Sequence, residues 1–323
     1  VPNQVTVAIP TSGVNKGKID ITYGSAPFNT VDIVVDVVGY TTNTGLLDLV
    51  NRVTALETGS PARVVWVADD GTGDYALLST ALAAITDATS SKPYVIKIAP
   101  GIYTETTPVV LKDFVDVEGS GQDITTINCA CSSSGTKASA AAVSAGAINA
   151  DVRHLTVNNT GSVAVGGSSG VGVYTNGVTN GSFSMHNVTA TATGGDYNFG
   201  VFNDSSSPSM TNVTATADSN NWTHSYGVYN FDSSSPTMTN VTATGKNAVG
   251  NNMGVYNSLS SWPSIRNSSI AGTDFSIFNS GTSNAGVADT ALGGVVAGSG
   301  FTCVGVYTTA FVVLDASCAA VGP

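Results

Sequence analysis

The sequence predicts an all-β chain dominated by a parallel solenoid, and three observations predict it. Short motifs return at a nearly fixed spacing, strand formers alternate with turn formers, and no repeat holds a helix-length apolar pattern. The repeats begin at Gly172 (GVYT), Gly200 (GVFN), Gly227 (GVYN), Gly254 (GVYN) and Ser276 (SIFN), with steps of 28, 27, 27 and 22 residues. Their aromatics, Tyr174, Phe202, Tyr229, Tyr256 and Phe278, keep the same steps. A second track runs through Met185, Met210, Met238 and Ile265, each followed two residues later by Asn187, Asn212, Asn240 or Asn267. The similar element DVRHLTV, from Asp151, carries this track toward the N-terminus. One such unit cannot bury its own apolar face, but stacked units can. Equivalent strands then lie about 4.8 Å apart. Like residues pile up, aromatic on aromatic and Asn on Asn, with asparagine side chains bonding along their columns.

Composition narrows the partners. Of 323 residues only 10% are charged, and the net charge is −11 with eleven Lys and Arg. Phosphate binding needs a basic surface, so no nucleic-acid partner is expected. No apolar run approaches the roughly 20 residues that span a bilayer. Neither a metal nor a cofactor is assigned. The chain starts at Val1 without a charged leader, which reads as a mature chain whose targeting segment has been removed, and secretion to the extracellular space or cell surface is the expectation.

Residues 1–44 hold three strand candidates, QVTVAIP, KIDITYG and VDIVVDVVGY. Together they resemble the C-terminal part of a β-sandwich module common in bacterial secreted proteins. An incomplete sheet takes its missing strands from a neighbour. That makes Val5, Val7, Ile9, Val34, Val35 and Val37 candidate assembly residues for a head-to-tail polymer. In the following segment, 45–60, Leu46, Leu49, Val53 and Leu56 have the spacing of a coiled-coil seam ending at Gly59. It is a connecting helix or a short trimer-forming neck.

From residue 61 the text reads strand, helix, strands. Asp74 is placed to cap a helix of about twelve residues, with Leu78, Leu82 and Ile85 as its apolar stripe. Such a helix would cover the open end of a solenoid, where unpaired edges invite aggregation. The pattern VADDGTGDY…ALAAI…YVIKIAPGIYTE…VDVEGSG, over about residues 63–130, resembles the opening coils of the pectin-lyase-like superfamily, especially pectin methylesterases. The resemblance implies a right-handed parallel β-helix with an N-terminal capping helix. It places the helix over residues 61–300, in about eight to ten coils, and leaves 301–323 as a C-terminal cap.

Pectin methylesterases use two aspartates, one as nucleophile and one as acid/base, with anion-hole glutamines and an arginine, in motifs of the form QDTL, DFIFG and LGRPW. Gln122-Asp123 superficially resembles the first but lies too early in the chain, and nothing resembles the other two. Arg153 and Arg266 lack the acidic cluster of a calcium-dependent lyase. Asp196, Asp204, Asp218 and Asp232 are scattered through turns rather than paired for two-carboxylate hydrolysis. No catalytic residue is assigned.

His154 and His186 occupy equivalent places in RHLTV and MHNVT and are expected to stack as neighbours on a solvated face. Trp222 and Tyr226, in NNWTHSY with His224, and Trp262, in SSWPS, are candidate glycan contacts, because aromatic faces suit sugar rings. Packing of those turns onto the solenoid is the competing reading. Several N-x-S/T sequons coincide with the Asn track; Asn221, in a long insert, is the best glycosylation candidate. The four cysteines are better suited to disulfides than to zinc, and Cys303–Cys318 with Cys129–Cys131 is preferred among three connectivities.

The functional expectation is a secreted structural or adhesive β-helix that self-associates into filaments or trimers. The alternatives are a polysaccharide-active enzyme of pectin esterase or lyase type and a non-catalytic glycan-binding spike.

Overall fold

The computed structural model describes residues 62–161, 167–179 and 181–320. The strands expected in residues 1–44, the six assembly residues among them and the helix expected at 45–60 lie outside the described residues. The chain divides into two compact units, Val1–Val53 and Thr54–Pro323, and the coils belong to the second.

Three parallel ladders form the coils. The first ladder has ten strands, starting with Arg63–Val67 and Tyr94–Ile98 and ending at Phe301–Val304. The second starts at Gly101–Glu105 and Thr125–Cys129 and ends at Tyr307–Thr308. The third is a separate eight-stranded sheet that contains the GV(Y/F)N strands. Ala150–Asn159, Phe183–Ala192 and Ser209–Asp218 run through both of the first two ladders without interruption. The last strands of both these ladders fall within the segment expected as a cap.

The register explains why residues repeat. A single interior column runs Val65, Ile96, Val117, Val152, Met185, Met210, Met238, Ile265, Val287, Cys303. From Ile96 onward each member is buried. Full burial of a side chain this size contributes roughly 1.5–3 kcal/mol relative to exposure, before chain entropy. The neighbours on either side of each column residue point away from the core, so polar residues are tolerated there.

The bend between the first two ladders needs a left-handed residue. His154, Asn187, Asn212, Asn240 and Asn267 occupy it, with φ of 58°, 52°, 55°, 53° and 49°. Asn adopts this conformation more readily than most residues because its short polar side chain bonds locally. The Asn212 amide donates to Asn187 Oδ1 at 2.9 Å, and Asn240 donates to Asn212 at 2.7 Å. One expectation is corrected here. Val152 pairs with Met185, so Arg153, not His154, faces His186. His154 sits one position on, at the bend, where its Nδ1 lies 3.3 Å from the Asn187 amide nitrogen.

A second asparagine chain lies inside. Asn203 donates to Asn230, Asn230 to Asn257 and Asn257 to Asn279, at 2.8, 2.8 and 2.7 Å. Asn279 closes the chain on the Ser299 carbonyl at 2.9 Å, and the Thr175 hydroxyl opens it on Asn203 at 2.8 Å. All four asparagines are buried, and each finds the partner that burial requires. On the same strands Gly200 and Gly227 have no room for a side chain: a Cβ would stand 2.6 Å from the carbonyl oxygen of the equivalent glycine in the next coil.

The capping helix spans Leu78–Ala84 and buries Leu78, Ala81 and Leu82, with Ile85 buried just beyond. It is shorter than expected and Asp74 does not cap it. The Asp74 carboxylate instead accepts the Trp66 backbone N–H at 2.9 Å, satisfying the edge strand. The helix N-terminus is held by Glu105, whose oxygens accept from the Ser79 N–H at 3.1 Å and the Ser79 hydroxyl at 2.5 Å. A buried carboxylate at that end meets the positive pole of the helix. In the structure Cys129 is joined to Cys131, and Cys303 to Cys318.

Candidate functional site

The candidate glycan contacts separate by burial. Trp222 and Trp262 are 45% and 60% exposed, whereas Tyr226 is 7% exposed. Tyr226 lies between Phe199 and Tyr256, with ring centroids 5.4 Å from each. Burial pushes its hydroxyl pKa up to about 12. Its ring faces are already occupied, so it cannot receive a sugar without displacing them.

Tyr226 belongs to an aromatic band carried by the third ladder, in a cluster separate from the main core. Tyr174, Phe202, Tyr229, Tyr256 and Phe278 are layered in register, with successive centroids 5.7, 4.7, 4.7 and 5.5 Å apart. Offset and edge contacts at these distances add to area burial. Lys137 caps one side of the band, its ammonium 5.2 Å from the Phe199 centroid and bonded to the Ser169 hydroxyl. Burial lowers its pKa.

Trp262 stands in a built setting. With the Asn284 amide oriented to satisfy both neighbours, its oxygen accepts from the indole Nε1 at 3.1 Å and its nitrogen donates to the Gly300 carbonyl at 3.2 Å. The pinned indole borders an open groove of about 300 Å³ whose other walls are Pro263, Asn284, Ala285, Gly286, Gly300 and Thr302. A Cβ at Gly286 would meet nothing within 4 Å. A fixed indole beside glycines that add no side chain to the groove suits a planar, apolar ring face with hydroxyls around its edge.

A second groove, about 470 Å³, opens at the other end of the first ladder. It was not anticipated from sequence. Trp66, 51% exposed, forms one wall; Lys97, Glu118, Ser120 and His154 are among the others. Lys97 and Arg153 bond opposite oxygens of Glu118 at 3.2 and 3.0 Å, and Asp116 and Asp151 lie 3.7 and 3.6 Å from Arg153. Burial works against the Glu118 charge, but the hydrogen bonds and charge of Arg153 and Lys97 hold its pKa below the usual carboxylate value. Burial raises the pKa of Asp116.

The turn bearing Trp222 is fixed by polar contacts. Asp196 accepts the Thr223 hydroxyl and the Thr223 and Gly167 N–H groups. His224 accepts the Asn251 N–H on Nδ1 at 3.1 Å. Burial lowers the His224 pKa, and the Asp196 charge opposes that shift.

Of the residues tested for catalysis, Asp204 and Asp232 fall on adjacent coils, Asp204 opposite Phe231 and Asp232 accepting from the Ser205 hydroxyl at 3.0 Å. Gln122 lies against the second ladder, accepting from the Thr156 hydroxyl and donating to Thr189 at 3.4 Å, and Asp123 is exposed beside it. Asp204 bonds the Tyr174 hydroxyl at 2.8 Å, while Asp218 bonds the Asn247 amide at 3.1 Å. Among the described residues, no three His, Cys, Asp or Glu side chains are grouped closely enough to hold a metal ion, and no helix is long and apolar enough to cross a membrane.

Comparison with known proteins agrees with this architecture. A family profile described as Pectinesterase matches residues 64–177, about a third of the chain. The pectin methylesterase PemA from Erwinia chrysanthemi is similar with a TM-score of 0.54 and 13% identity, over 80% of this chain and 92% of that one. A pectin methylesterase from Yersinia enterocolitica gives 0.53 and 11%, over 77% and 95%. No curated protein matches the sequence significantly. The likeness is one of fold: the chain is a right-handed parallel β-helix like those pectin methylesterases.

Proposed function

We propose that this pectin-lyase-like β-helix is a secreted polysaccharide-binding protein, with methyl-esterified pectin as the leading ligand. The observation that carries the reading is Trp262: a 60% exposed indole pinned through Nε1 that lines a groove together with Gly286 and Gly300. Binding without turnover is favoured by what stands at the chemistry-bearing positions. The third ladder carries layered rings, and Gln122 is already bonded to Thr189 and Thr156. Two disulfides suit an oxidising compartment.

The test combines retention on a polysaccharide panel with methanol release from esterified pectin. Retention of the wild type, at least tenfold weaker retention of Trp262→Ala, and no methanol release are expected. Methanol release above background would favour the esterase reading, and retention on no polysaccharide would end the binding one.

Self-association is a second reading. The strand-forming segments around Val5, Val7, Ile9, Val34, Val35 and Val37 favour it. Electron microscopy of the full chain should show filaments or trimers, and a chain lacking residues 1–44 should give single particles.

A further inference from the structure

The groove at Trp66 is built separately from the one at Trp262. Trp66 stands on the first strand of the first ladder, and Trp262 just precedes the eighth. Seven ladder steps lie between them, about 34 Å at the usual strand spacing.

The backbone of Trp66 is clamped while its side chain lines the groove. Its N–H donates to the Asp74 carboxylate at 2.9 Å, and its carbonyl oxygen accepts from the Asp74 and Tyr75 N–H groups at 2.8 and 3.2 Å. A Cβ at Gly73 would stand 2.5 Å from the Ala68 nitrogen, so only glycine lets this turn close on the strand. The residue nonetheless stays 51% exposed.

The polar side chains beside the indole are locked to one another. Register sets Trp66, Lys97, Glu118, Arg153 and His186 on successive rungs of one outward column. The Lys97 ammonium reaches one rung onward to Glu118 Oε1 at 3.2 Å, which draws it away from the indole. Arg153 Nε and Nη2 both donate to Glu118 Oε2, at 3.2 and 3.0 Å. The ammonium keeps further donors, and Oε1 keeps a second lone pair. A sugar hydroxyl donates and accepts at once, and this Lys97–Glu118 couple can meet both needs with charge-assisted bonds. At the bend His154 has its Nδ1 beside the Asn187 amide, which leaves Nε2 as the free ring nitrogen. Gly119 allows that bend to come close: a Cβ there would stand 2.3 Å from the His154 carbonyl oxygen.

Charge narrows the ligand. In the groove and at its rim, Lys97 and Arg153 face three carboxylates, those of Glu118, Asp116 and Asp151. Both cations are already matched by carboxylates, and the whole chain carries −11. A further anionic group would meet repulsion rather than a free cation.

We propose that the Trp66 groove is a second saccharide site, in which an uncharged sugar ring stacks on the indole and its hydroxyls bond the Lys97–Glu118 couple. The inference goes beyond the Trp262 reading, because the two grooves can be filled or emptied independently.

The experiment uses the full chain carrying Trp262→Ala, so that binding at the first groove is removed. It is titrated calorimetrically with uncharged gluco-, xylo- and manno-oligosaccharides and with fully methyl-esterified oligogalacturonate, the de-esterified form serving as the charged control. At least one uncharged oligosaccharide is expected to bind one to one, with affinity unchanged between about 50 and 500 mM salt. Adding Trp66→Ala should weaken that binding about tenfold or more, and Glu118→Gln about as much, whereas Trp66→Tyr should keep most of it. Circular dichroism and melting check that each variant folds; Trp66 is largely exposed, and the Tyr variant separates lost stacking from lost structure. Binding that survives Trp66→Ala overturns the proposal, as does tighter binding of the de-esterified control. Binding by the wild type with none by Trp262→Ala overturns it too, and leaves the Trp262 reading standing. A Trp262→Ala chain that binds as the wild type does, and loses binding only with Trp66→Ala, supports this site and overturns the Trp262 reading.

Discussion

Two asparagine columns run through the same coils and are built for different reasons. At the bend, Asn187, Asn212, Asn240 and Asn267 are chosen for backbone shape: each sits at positive φ, and their side-chain bonds are partly solvated. Inside, Asn203, Asn230, Asn257 and Asn279 are chosen for side-chain bonding: each amide is sealed from water and both donates and accepts along the column. The same residue in the same stacking therefore carries two different free-energy costs. Sequence repetition alone does not say which one is in force.

Substitutions separate the two. The largest effect is expected for Asn230→Leu, which orphans the Asn203 donor and the Asn257 acceptor in the interior. With about 1–3 kcal/mol for each unsatisfied buried group, chemical denaturation should show a loss of about 3 kcal/mol or more. Asn212→Ala should cost less, about 1–2 kcal/mol, because the penalty is that of a left-handed residue with a Cβ. Asn212→Gly should recover most of that loss, since glycine takes positive φ freely. An Ala variant no worse than the Gly variant would show that the bend column, too, is held mainly by its amides. At the column's head, His154→Asn should stabilise slightly, by about 0.5 kcal/mol, by placing the more tolerant residue at the bend.

A pH series gives the smallest effect. Burial lowers the folded pKa of His224 below its unfolded value near 6.5. Between those two values the unfolded chain binds the extra proton. The stability associated with His224 is therefore complete above pH 6.5 and declines as pH falls through 6.5 toward the folded value. His224→Gln should flatten the stability profile between pH 7.5 and 5.5. An unchanged slope would assign the decline to other groups.

Much of this fold was legible in the sequence because ladder register converts a repeat in the text into a column in space. The pairing of Met185 with Met210 and then Met238, and of Tyr229 with Tyr256, follows directly from repeat spacing. The reading failed where one residue of slippage matters. His154 and His186 look alike in their short motifs, yet Val152 in the core sets the register, and the two histidines fall on different columns. Asp74 has the right type for a helix cap, but the unpaired edge of the first strand claims its carboxylate. Tyr226 reads as a turn residue, and only the neighbouring coils reveal that rings cover both its faces. The Trp66 groove was invisible for a similar reason. Trp66, Lys97, Glu118 and His154 come from four successive rungs, and nothing in the linear text marks them as neighbours.

The Cys303–Cys318 bond ties the final strand of the first ladder to the tail that follows it. A stack in which each layer leans only on the next comes apart from its ends, like a zipper, so its lifetime depends on the outermost teeth. The cystine works as a stop on that zipper. Tension or a protease acting on the tail must lift the whole closing layer at once before any inner layer can follow.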